Sequence, residues 1–80
     1  MGPGPVQALD ELPGVRSALA DVRAAWRLQS EGAALHMAER AAEQGDDEAA
    51  LLAAVAAIDA WRERTRAERE RLWGPRGWPW

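Results

Sequence analysis

Eighty residues without a cysteine make one small domain that neither a disulfide nor a cysteine-held zinc ion can staple. The net charge of −3 is unevenly spread, with four Arg against ten acidic residues over 1–60 and six Arg against three over 61–80, so the C-terminal end is the basic pole. No run approaches the ~18 apolar residues of a membrane span, and the opening MGPGPVQ lacks the basic and apolar parts of a secretory signal; we expect a cytoplasmic chain with no membrane span.

Eighteen of the hydrophobic residues are alanine, which favours helix but offers little side-chain area to bury. The core must be thin, and association is the remaining source of stability. Pro3, Pro5 and Pro13, with Gly2, Gly4 and Gly14, predict an extended segment over residues 1–12. Helix is expected to begin between Asp10 and Val15. Leu12, Val15, Leu19, Val22 and Trp26 then recur at spacings of three and four, the seam of a helix packing lengthwise on another. Beyond Trp26 the stripe drifts to Leu28, Leu35 and Met37 with Gly32 between them, which predicts one helix with a soft point at SEGAA.

The turn signal is EQGDDEAALL. Gly45 suits the left-handed position that closes a helix, Asp46 an N-cap, and Asp47 and Glu48 the positive end of the next helix dipole. The second helix runs through Leu51, Leu52, Val55, Ile58 and Trp61, turns polar in RERTRAERER, and must stop by Gly74-Pro75. Folding the chain at residues 45–46 gives an all-α helical hairpin over 13–73, two long antiparallel helices whose packing stripe includes Leu19, Val22, Trp26, Val55, Ile58 and Trp61, with Leu19 opposite Leu72, Trp26 opposite Thr65 and Val55 opposite His36. A Trp-, Pro- and Gly-rich tail over 74–80 cannot be helical. The stretch GDDEAALLAAVAAI resembles the turn and second helix of a tetratricopeptide unit, with Gly45-Asp46 at the turn and Ala50 and Ala57 at its small-residue positions; Met37 and Ala38 fill two first-helix positions. The first-helix aromatics of that repeat and a second copy are missing, so the resemblance implies no peptide-binding residues.

Catalysis needs a nucleophile, a base and an orienting group within reach of one another. One His, two Ser and one Thr, with no Cys, Lys or Tyr, are a poor inventory, and we expect no enzyme, no catalytic residues and no cofactor. His36 and Glu39 share a helix face, but in the reverse order of the Glu-x-x-His pair of carboxylate di-iron bundles; we read His36 as a half-buried residue near Val55 and expect no metal. The acids Asp46, Asp47 and Glu48 are what capping requires. In WRERTRAERERLW, three Glu sit three or four residues from Arg partners, so we read a solvated, self-compensated helix and not a nucleic-acid surface.

Three of the five Trp fall in the last eight residues, RLWGPRGWPW. Exposing indoles to water is unfavourable by roughly 1.5–3 kcal/mol for each large side chain, so Trp73, Arg76, Trp78 and Trp80 are expected to form a docking element for another protein or for copies of the same chain, unless the tail folds back near Val15 and Leu19. The expected function is non-catalytic association: an adaptor, assembly factor or structural subunit of a multi-subunit particle, such as a phage-like one, with self-association or membership of a larger complex. The alternative is a ribosomally made precursor peptide with a helical leader and a Trp-rich core modified by a partner enzyme.

Overall fold

The computed structural model of the chain describes residues 12–74, which form two helices, α1 (Pro13–Gln44) and α2 (Glu48–Trp73), joined by a tight turn. Among the described residues there is no strand, and the architecture is an all-α helical hairpin. The segment 1–11 and the tail residues Arg76, Trp78 and Trp80 lie outside the described residues.

Helix α1 starts where proline is best tolerated. Pro13 occupies the first turn, where a missing N–H breaks no bond and the fixed φ is already helical. Leu12, extended at φ −81°, provides no side-chain cap, but its carbonyl accepts from the Arg16 N–H at 2.9 Å. The helix then runs unbroken through Gly32 to Gln44, so the soft point at SEGAA does not interrupt it.

The turn sits one residue later than its composition suggests. Gly45 is right-handed (φ −83°), and Asp46 takes the positive φ of 55°. With Asp46 in that position, its N–H donates to Glu43 O at 3.2 Å and the Asp47 N–H to Ala42 O at 3.0 Å, the paired bonds of a Schellman ending. The N-cap of α2 is therefore Asp47, not Asp46: its carboxylate accepts from the Ala50 N–H at 3.0 Å. Aspartate enters the left-handed region more readily than most residues because its short side chain can bond locally. At the far end Gly74 closes α2 with φ 72°, where glycine carries no Cβ penalty, and its extended ψ suits a residue preceding proline.

The buried residues are Leu28, Ala42, Ala54, Ile58 and Trp61, with Gly32. On α2 they belong to a stripe of Leu51, Ala54, Ile58, Trp61, Thr65, Glu68 and Leu72, all buried or half-buried at alternating spacings of three and four. The matching stripe on α1 is Asp21, Ala25, Leu28, Gly32, Leu35, Glu39 and Ala42. This corrects the expected packing face: Val22 and Trp26 are 52% and 67% exposed, Val55 is exposed as well, and Leu19 is half-buried.

The reason lies in how the chain's apolar residues divide between the two arms. The apolar half of α2, Leu51 to Trp61, lies opposite the C-terminal half of α1, as the bond between Trp61 and Glu31 records. On the inward side there the larger apolar residues are Leu28 and Leu35, with the buried Gly32 next to Glu31 at the level of the Trp61 indole. Leu12 to Trp26 instead face the level of the polar half of α2, which has little apolar area to offer them. The larger surface decides the rotation of α1 about its axis, and its other stripe turns outward.

Candidate association surface

Three layers follow one another along the hairpin. Nearest the turn, alanines and Leu51 pack closely. In the middle Trp61, only 2% exposed, is held on several sides. Its indole N–H donates to Glu31 Oε1 at 3.1 Å, and the Arg69 guanidinium lies 5.8 Å from the ring centroid, within cation–π range. Arg69 is itself positioned by bonds to Thr65 Oγ1 at 3.1 Å and Arg62 O at 2.7 Å, while Thr65 Oγ1 donates back to Trp61 O at 2.7 Å. A shallow groove beside the indole is lined by Glu31, Ala34, Leu35, Trp61 and Arg64.

In the third layer charged residues bridge the two helices. Arg71 pairs with Asp21 at 2.7 Å, and Glu68 with Arg27. The hydrogen bond to Asp21, then the attraction of its charge and, more weakly, of Glu68, raise the Arg71 pKa. Arginine is protonated throughout the accessible pH range, so this adds no pH dependence. Within α2, Arg66 pairs with Glu63 at 2.6 Å and Arg71 approaches Glu68 at 4.0 Å. Such exposed pairs are screened by solvent; they align the polar half of the hairpin more than they hold it.

His36 is half-buried, and its Nδ1–H donates to Gly32 O at 2.8 Å, which fixes that nitrogen as the protonated one. Among the described residues no group of three or more His, Asp or Glu side chains converges to hold a metal ion. Asp46, Asp47, Glu48 and Glu43 line a hollow at the turn, but the Asp47 carboxylate serves the cap.

What remains is a long apolar face on α1. Leu12, Val22, Trp26 and Met37 are 52%, 52%, 67% and 69% exposed, and at 3.6 residues per turn they share one side of the helix with half-buried Val15 and Leu19. On α2, Leu52 is exposed too. Of the sequence-derived docking residues, Trp73 is half-buried at the end of α2, at the level where α1 begins; Arg76, Trp78 and Trp80 cannot be placed. No helix among the described residues is long and apolar enough to cross a membrane. The signal for the true seam was present as the second three-and-four stripe of α1, which its small and charged members, Asp21, Ala25, Gly32 and Glu39, concealed. No family model, curated protein or solved structure matches the chain.

Proposed function

We propose that the protein acts by association and not by catalysis, as a small helical adaptor, assembly factor or structural subunit of a larger complex, with the Trp-rich tail as its docking element for a protein partner. The observation that carries this reading is the apolar side of α1 left in water: Trp26 and Met37 are more than two-thirds exposed although the hairpin's own core is thin. Contiguous exposed apolar surface on a small chain marks an interaction face. The tail adds Trp78, Trp80 and Arg76, residue types favoured as interface anchors, on a backbone that proline stiffens and so makes less costly to order. The ion pairs of Arg27, Arg66 and Arg71 leave fewer cations for phosphates, which argues against nucleic acid as the partner.

The test is affinity capture from the native host with the full-length chain and with a Trp78→Ala/Trp80→Ala variant. Partner recovery should fall at least about tenfold in the variant, since one buried Trp anchor commonly contributes at least about 2 kcal/mol, while helix content by circular dichroism stays constant. Loss of helix with binding retained by the folded fraction would make the tail part of the core. A cleaved or modified C-terminus in the host would replace this reading with the precursor-peptide one.

A further inference from the structure

We infer that the outward face of α1 is covered by the same face of a second copy of this chain, packed antiparallel about a twofold axis between Val22 and Trp26. This rests on the association reading but specifies a surface separate from the tail. Two features of α1 favour a second copy as the occupant.

The first is steric complementarity of the face with itself. An antiparallel pairing centred between Val22 and Trp26 matches residues whose numbers sum to about 48, which sets Val22 against the copy's Trp26 twice, Val15 against its Ala33, Leu19 between its Gln29 and Ser30, and Leu12 between its His36 and Met37. Large meets small or flexible at every level, and the two indoles fall at the centre, where interface anchors are most effective. The second is area. With Leu12, Val22, Trp26 and Met37 each more than half exposed, roughly 500 Å² of apolar surface is available per copy, and pairing would remove about 1,000 Å², the lower bound for a specific interface. The product is a four-helix arrangement in which each α1 is buried on two sides.

The experiment uses the full chain. Sedimentation equilibrium should give a dimer at micromolar concentration, and Trp26→Glu should raise the dissociation constant at least about 30-fold, the effect of losing one interface Trp anchor. Met37→Glu, at the other end of the face, should weaken the dimer with helix content unchanged, so the result does not depend on one variant folding. Because the native chain has no cysteine, geometry can be read directly: mixing Leu19→Cys with Ser30→Cys protein under mild oxidation should yield mainly the mixed disulfide. A monomer up to about 100 µM, a dimer indifferent to both glutamate variants, or a predominance of Leu19→Cys homodisulfide would overturn the pairing. Tail-dependent partner capture would survive any of these outcomes, so the two readings fail separately.

Discussion

Asp46 and Asp47 have adjacent positions and opposite roles. Asp46 sits in the left-handed region at φ 55°, where any residue with a Cβ is strained, whereas Asp47 holds the first turn of α2 through its bond to Ala50. Asp46→Gly should therefore stabilise the hairpin, by up to about 1 kcal/mol, and Asp46→Ala should destabilise it, because alanine lacks the local bonding that lets aspartate tolerate this backbone. Asp47→Ala should cost about 0.5–2 kcal/mol through the lost cap. Urea denaturation of the three variants checks the order; an Asp47→Ala variant as stable as the native chain, with Asp46→Gly destabilised, would return the cap to Asp46. The turn was legible as a turn from Gly45, Asp46 and Asp47, but its register was not. Either Gly45 or Asp46 can be left-handed, and the choice depends on which carbonyls of α1 are reached by the next two N–H groups.

At the scale of the helix, α1 carries two stripes with the same spacing, and the hairpin uses the one with smaller side chains. Both helices and their antiparallel order follow from the periodicity and the turn. The rotation of α1 does not, because it is set by where apolar area is concentrated on α2. Ile58 and Trp61 are recognisable as packing residues from α2 alone, whereas spacing puts Val22 and Trp26 of α1 and Val55 of α2 in the seam without distinguishing the faces of either helix. Truncation separates the faces. Leu28→Ala should cost about 2–5 kcal/mol and Trp61→Ala about 3–5 kcal/mol, while Val22→Ala should change the stability of the hairpin measured below its association concentration by no more than about 0.5 kcal/mol. Thermal or urea unfolding at high dilution makes the comparison. If Val22→Ala proved as damaging as Leu28→Ala, α1 would be rotated relative to this account.

For the whole molecule, two helices with a thin seam leave Leu12, Val22, Trp26, Met37 and Leu52 largely in water, and the composition carries an expectation of association: abundant alanine, no cysteine, and three of the five tryptophans in the last eight residues. The sequence made association an expectation through the tail, whose Arg76, Trp78 and Trp80 lie outside the described residues. The exposed face of α1 was hidden in it, because the same five residues read equally well as the hairpin's own seam. If copies cover that face, folding and association are one equilibrium, and stability must depend on protein concentration. The most direct measurement is the thermal midpoint of the full chain over a hundredfold range of dilution, alongside Trp26→Glu. The account predicts that the midpoint of the native sequence falls by several degrees on dilution and converges on a lower, concentration-independent midpoint of the variant. A native midpoint that is the same at every concentration, with cooperative unfolding, would contradict it.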